Sequence, residues 1–315
     1  MKTIITKPGE IIDFETVFVE NPAISGNPAP KRVGRVERVD YTTDVYEDGV
    51  TYPKYCNVYL PYCYDPEDKS RKYNVLYYQH GNTCDPEIFT GEEQKKFDAL
   101  FDSGEIDPCI IVSITYYFDV TKDVEERRAT GAVPAGDGHY PGIKGNYYRE
   151  VIEDIIPAVE MKYNTYLTGT SKEKIIAARD HRAFTGYSRG CVCTWYMFHN
   201  ALPYFRWYSP MSCHVTVGRS VHADVTQEEV MDYILKPIHE NPDYPFYIYA
   251  ATGGPEDVGA RRQYPQMKFI TKAEPFSYGT DTKKNNIYFS IAEFDHTDLL
   301  VPYYYYNSLQ VLFKL

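Results

Sequence analysis

The sequence predicts an α/β fold, with a mostly parallel central sheet and helices on both faces, and three observations carry that prediction. Short β-branched and aromatic runs recur along the chain, several of them ending in Gly-, Asn-, Asp- or Pro-bearing turns. A helical run separates two of these strand-like runs, the alternation expected of a parallel sheet. One run, Arg182-Ala183-Phe184-Thr185, passes through Gly186-Tyr187-Ser188-Arg189-Gly190 directly into the apolar helical stretch Cys191 to Phe198. A length of 315 residues suits one such domain. No repeat or low-complexity tract divides it.

The elements follow in chain order. Residues 1–38 are turn-rich, with Asn21-Pro22-Ala23-Ile24-Ser25-Gly26-Asn27-Pro28-Ala29-Pro30, and read as an extended arm over a single domain spanning 39–315. Asn74 to Tyr78 reads as a strand that ends in Gln79-His80-Gly81-Asn82. Cys109 to Thr115 is a second strand, closed by Tyr116-Tyr117, whose rings read either as reaching a pocket mouth or as plain core packing. Residues 119–146 are rich in Gly, Pro and charge. A loop of that length in a compact domain is usually functional or disordered; it reads as a substrate-facing insertion, with His139 as a candidate substrate contact or else a solvent-exposed loop histidine. The helix from Tyr147 to Tyr163 places Val151, Ile152, Ile155, Ile156 and Val159 toward the core, with Glu150, Glu153 and Asp154 on the solvated face. Pro245 to Thr252 is a strand running into the turn Gly253-Gly254-Pro255-Glu256-Asp257. Asn286 to Phe294 is the next strand, followed at once by His296. Tyr303-Tyr304-Tyr305-Tyr306 is expected on a C-terminal helix that turns one or two rings to the sheet.

Gly186 to Gly190 has the form of a nucleophile elbow, a sharp strand-to-helix turn that lifts a serine hydroxyl above the sheet edge. Its glycines are needed because a Cβ there would meet the neighbouring strand or helix. A serine hydroxyl is a weak nucleophile near neutral pH and needs a base, itself oriented by a carboxylate. In this fold the chain order is Ser, acid, His. Of eight histidines, only His222, His239 and His296 lie well beyond the elbow helix. His296 alone follows the acid-bearing turn, so order and placement select Ser188, Asp257 and His296, with Glu256 as the other carboxylate in that turn. The oxyanion then needs two backbone N–H donors. The amide of Arg189, next after the serine, is one; Asn82, after the His-Gly strand end, is the other.

These segments resemble the esterase D-like α/β-hydrolases, and within them the feruloyl and acetyl-xylan esterases of carbohydrate esterase family one. The likeness rests on Val58-Tyr59-Leu60-Pro61 with Tyr73 to Gly81, on His181 to Ser188, on Ala251 to Asp257, and on Ala292-Glu293-Phe294-Asp295-His296. It runs from about Val39 to the C-terminus. It implies an α/β-hydrolase catalytic domain that cleaves ester-linked ferulate or acetate from plant cell-wall polysaccharide, with no metal and no cofactor. Three positions depart from the family. Arg189 stands where methionine is usual, Asp298 where tryptophan often follows the histidine, and Ser212-Cys213-His214 where Ser-Gly-Asp is common. All three would flank the acyl pocket, so they bear on which acyl group is accepted. Arg189 reads as a surface arginine paired to a nearby acid, or else as an attractor of a substrate carboxylate. His214 joins Tyr116, Tyr117 and His139 as a candidate substrate contact.

Composition narrows the alternatives. A net charge of −11 argues against nucleic acid or an anionic membrane as partner. No run of ~20 apolar residues is present to span a bilayer. Met1-Lys2-Thr3-Ile4-Ile5-Thr6 lacks the apolar stretch of a secretion signal, so the protein is expected inside the cell, or outside it after loss of a leader. Seven cysteines without framework spacing read as buried free thiols, and His214 and His222 lack metal-ligand spacing. Other readings of the same scaffold are a different ester or thioester hydrolase, such as an S-formylglutathione hydrolase, a silent carbohydrate-binding fold and a serine peptidase.

Overall fold

The computed structural model describes residues 2–6, 16–21, 24, 28–46, 48–81, 92–117, 145–254, 259–292, 295–296 and 301–315. Strands β1 (Lys2–Thr6) and β2 (Thr16–Glu20) pair antiparallel as a separate ribbon. The main sheet contains β3 (Arg35–Thr43), β4 (Tyr52–Leu60), β5 (Val75–Gln79), β6 (Ile110–Ile114), β7 (Arg182–Tyr187), β8 (Trp207–Met211), β9 (Tyr247–Gly253) and β10 (Ile287–Ala292). Their order is β10-β9-β8-β7-β5-β6-β4-β3. From β10 to β6 every neighbouring pair is parallel, while β4 runs antiparallel to both β6 and β3. The expected mostly parallel sheet is therefore present. Every residue of β5, β6, β7, β8 and β9 is buried, which is why these strands read as continuous apolar runs rather than alternating ones.

The helices are α1 (Glu92–Asp102), α2 (residues 147–160), α3 (Lys172–Ala177), α4 (Arg189–Ala201), α5 (Gln227–Glu240), α6 (Tyr264–Ile270) and α7 (Val301–Leu309). They cover both faces, because successive strand residues point to opposite sides. Val75, Tyr77, Val112 and Phe184 pack with α2 and α4 on one face. Leu76, Tyr78, Ile111 and Ala183 pack with Phe97 and Leu100 of α1 and Tyr305 of α7 on the other. Among the described residues, no helix is long and apolar enough to cross a membrane.

Three local expectations need correction. Strand β3 begins at Arg35, so the last residues of the 1–38 arm belong to the main sheet. Glu150 is not a solvated-face acid: it is fully buried, and its carboxylate meets the equally buried Lys54 ammonium at 2.6 Å. The centre of α2, Glu150–Ile155, is π-helical. The widened turn breaks the α-helical spacing behind the outward assignment, and Lys54 of β4 lies against that face. Finally, α7 buries Tyr304, Tyr305 and Tyr306, three rings rather than one or two. The helix packs against both the sheet and α1: Tyr305 meets Tyr78 and Phe97 edge-on or tilted, and Tyr306 donates to Glu105.

Candidate active site

The sheet brings two strand ends together. Strand β5 has β6 on one side and β7 on the other, so the chain reverses its direction of travel across the sheet at β5. Such switch points leave a crevice beyond the carboxyl ends of the strands. Gln79 pairs with Gly186, which sets the loop after β5 directly beside the turn after β7.

The turn is built on glycines for steric reasons. A Cβ on Gly186 would lie 2.4 Å from the Gly190 carbonyl, and one on Gly190 would lie 2.0 Å from the Gln79 oxygen. Neither backbone atom has room to move. Ser188, between them, holds φ 58° and ψ −113°, a conformation that costs a residue with a side chain roughly 1–3 kcal/mol. Its N–H is anchored to the Met211 carbonyl at 2.9 Å. A serine preceding a helix normally turns its oxygen back onto the first-turn amides. Ser188 makes no such cap bond, because the positive φ swings the hydroxyl off the helix end.

That hydroxyl meets an imidazole instead. His296 Nε2 lies 3.2 Å from Ser188 Oγ, although 108 residues separate them in the chain. For the hydroxyl to donate to Nε2, the ring proton must sit on Nδ1. The Tyr187 ring stacks on the His296 ring at 4.8 Å and 26°, which orients the imidazole from the residue preceding the nucleophile. The His296 backbone N–H donates to Asp295 Oδ1 at 2.8 Å, closing the local turn. Tyr187 was not singled out by the sequence; its place inside Gly-x-Ser-x-Gly was the available signal.

Of the other candidate residues, Arg189 opens α4, where the first helical amides have no carbonyl four residues back. Its side chain is buried, 7 % exposed, which corrects the surface-arginine reading. Tyr116 and Tyr117 are each 1 % exposed. Rather than lining a pocket mouth, they flank His80 at 4.9 and 5.1 Å. His214 lines a cavity of about 400 Å³ with Arg261, Arg262 and Gln266. It is 2 % exposed, and its Nε2 has no hydrogen-bond partner among the described residues. Burial, with the nearby Arg262 and His222 charges, pushes its pKa down to about 4. Asn82, His139, Asp257, its neighbour Glu256, and Asp298 lie outside the described residues.

A nucleophile elbow at a switch point, with a histidine in hydrogen-bond reach, is the constellation of a serine hydrolase. The Esterase family model matches residues 53–286. The chain belongs to the Esterase family. This esterase is similar to Endo-1,4-beta-xylanase Y of Acetivibrio thermocellus, 29 % identical over 318 residues that cover 98 % of the chain. The chain spans about a quarter (26 %) of the length of that curated relative. Among solved structures it is similar to a mutant of the feruloyl esterase module from Clostridium thermocellum complexed with sinapinate. That likeness has a TM-score of 0.74 and 27 % identity, covering 96 % of this chain and 95 % of that one. A ferulic acid esterase from the anaerobic fungus Anaeromyces mucronatus shares the fold, with a TM-score of 0.60 at 19 % identity, covering 93 % of this chain and 96 % of that one.

Proposed function

We propose that this esterase removes feruloyl or acetyl groups from acylated plant cell-wall polysaccharide or its oligosaccharides, through an acyl-enzyme on Ser188. The contact between His296 Nε2 and Ser188 Oγ at 3.2 Å carries the mechanism, and the likeness to a feruloyl esterase module supports the acyl class. His296 takes the hydroxyl proton as Ser188 attacks the ester carbonyl. It then returns that proton to the departing sugar oxygen. Water enters with His296 again as base, and the carboxylic acid leaves. Asp257, which follows β9 in the sequence, is assigned as the carboxylate that holds the imidazole and stabilises the imidazolium. The amides of Arg189 and Asn82 are assigned to the oxyanion, where one such donor is typically worth ~3–4 kcal/mol in the transition state.

The test is release of ferulate from methyl ferulate and feruloylated arabinoxylan, and of acetate from acetylated xylan, with S-formylglutathione as the contrasting substrate. Hydrolysis of the first group, abolished by Ser188→Ala with kcat lowered about 10⁴-fold or more and no change in melting temperature, is expected. Turnover of S-formylglutathione alone would overturn the acyl assignment, and full activity in Ser188→Ala would overturn the nucleophile.

A further inference from the structure

Beyond the end of β8 lies a cavity that the acyl-transfer steps do not use. Its volume of about 400 Å³ is in the range of small-ligand pockets, and His214, Asp224, Arg261, Arg262, Gln266 and Phe269 are among its lining residues. The loop that carries His214 leaves β8 at Met211, whose carbonyl anchors the Ser188 N–H, so this wall starts beside the nucleophile. It is held from two sides. The Cys191 thiol of α4 donates to the Cys213 carbonyl at 3.0 Å, and the Gln266 side-chain amide of α6 exchanges two hydrogen bonds with the Val215 backbone at 2.8 and 3.0 Å. Positive charge collects here, in a chain whose net charge is −11. Arg262 is half-buried, and its guanidinium donates to the carbonyls of Val221, His222 and Ala223. Those are dipoles without net charge, so among the described residues no carboxylate balances Arg262. Arg261, exposed, lines the same cavity. Asp224, the acid of the described lining, is exposed, where water and salt screen it. His214 stands where Asp is common in the family, so the wall has lost a negative charge, and burial with the Arg262 and His222 charges keeps its imidazole neutral. With the Cys213 thiol 3.7 Å from Nδ1, the thiol proton serves Nδ1 and leaves the ring proton on Nε2, the atom without a partner among the described residues.

We propose that this cavity binds a carboxylate group, with Arg261 and Arg262 as its charged partners and His214 Nε2 as a third donor. A guanidinium presents its N–H groups as a planar fork that matches the two oxygens of a carboxylate. A buried N–H left unsatisfied is costly, and a carboxylate drawn in by the arginines supplies the acceptor that Nε2 lacks. Two groups that the enzyme meets carry this chemistry: a uronic acid unit of the polysaccharide, and the free carboxylate that hydrolysis releases from the ester. Bound from the polymer, it directs the esterase to acidic stretches of the chain. Bound from the product, it retains the released acid. The site rests on the esterase reading above and adds the charge of the group that reading leaves open.

The test measures binding by calorimetry on the Ser188→Ala chain, in which ligands are not turned over. A xylo-oligosaccharide bearing glucuronic acid is compared with the neutral oligosaccharide of the same length, and ferulate with methyl ferulate. In at least one pair the acidic ligand should bind about 10-fold more tightly than its neutral counterpart, and raised salt should shrink that preference. A preference in the sugar pair assigns the uronate, and one in the ferulate pair assigns the product. Arg261→Gln, Arg262→Gln and His214→Leu, each added to Ser188→Ala, should cut the preference about threefold or more, whereas His214→Gln, which keeps a donor, should retain most of it. Should Arg262→Gln fail to fold, Arg261→Gln and His214→Leu decide. Equal affinities within both pairs, or a preference unchanged in Arg261→Gln and His214→Leu, overturns the site. Turnover of methyl ferulate by the wild type separates the two ideas: an active enzyme with no charge preference loses only the carboxylate site, whereas an inert one loses the esterase assignment beneath it.

Discussion

Ser188 and its flanking glycines exchange local comfort for placement of one oxygen. The strain at Ser188 is sustained because Gly186, Gly190 and the Gln79 carbonyl leave the turn no other path. Gly190→Ala is therefore expected to cost about 1–3 kcal/mol or more, the range for overpacking against a fixed backbone. It should also lower kcat, read by thermal denaturation and by ester turnover on the folded fraction. His214 makes a different kind of prediction. Its folded pKa is depressed to about 4, against about 6.5 in an unfolded chain. Between those values the unfolded state binds the proton that the folded state refuses, so His214 lowers stability as the pH falls through that window. His214→Gln should flatten the acid side of the stability-pH curve between about pH 4 and 6.5. An unchanged slope would show that the ring is already protonated in the folded protein.

At the scale of elements, the π-helical centre of α2 and the strand β4 meet through charge. Glu150 accepts from Tyr41 at 2.6 Å and from Tyr46, besides pairing with Lys54. Burial pulls the Lys54 ammonium below its ordinary range, and Glu150 beside it pulls the other way. Removing one member of such a pair leaves a buried charge alone, which typically costs about 3–5 kcal/mol. Glu150→Gln should lose that much in urea denaturation, and Lys54→Met with Glu150→Leu together should lose less. Equal losses in the single and double variants would mean that the pair is not the stabilising unit. A second buried pair ties α2 to β7, where Arg182 forks onto Glu160 at 2.6 and 2.8 Å and Tyr77 donates to the same carboxylate. Both charged clusters lie on the α2 face, so the helix is oriented by ion pairs as well as by its apolar stripe.

Across the whole molecule, one sheet with a core on each face carries the chemistry at a single edge. The β1–β2 ribbon is attached from outside, by Asn307 of α7, which donates to the Val19 carbonyl at 3.0 Å and accepts its N–H at 2.8 Å. That pair satisfies both backbone groups of one strand residue, as a ladder partner would. Asn307→Ala should loosen the ribbon and raise hydrogen exchange at residues 16–20, while leaving kcat within twofold. Loss of activity alongside would tie the ribbon to the site. Among the described residues, the cysteines other than Cys63 are buried, as expected of interior side chains that pack as small apolar groups.

Much of this was legible in the chain alone, because it depends on neighbours in sequence. Turn glycines beside Ser188, buried parallel strands and the position of His296 after the last of them follow from local sterics and from the direction of a βαβ crossover. Other features depended on groups far apart in the chain. Lys54 reaches Glu150, the Gly81 oxygen collects donors from His80 and Tyr116, and Tyr187 stacks on His296. Such partners announce themselves in no periodicity, since a buried polar group is specified by what surrounds it rather than by its own spacing. Periodicity even misplaced Glu150, because a charge enters the interior wherever the fold supplies its complement.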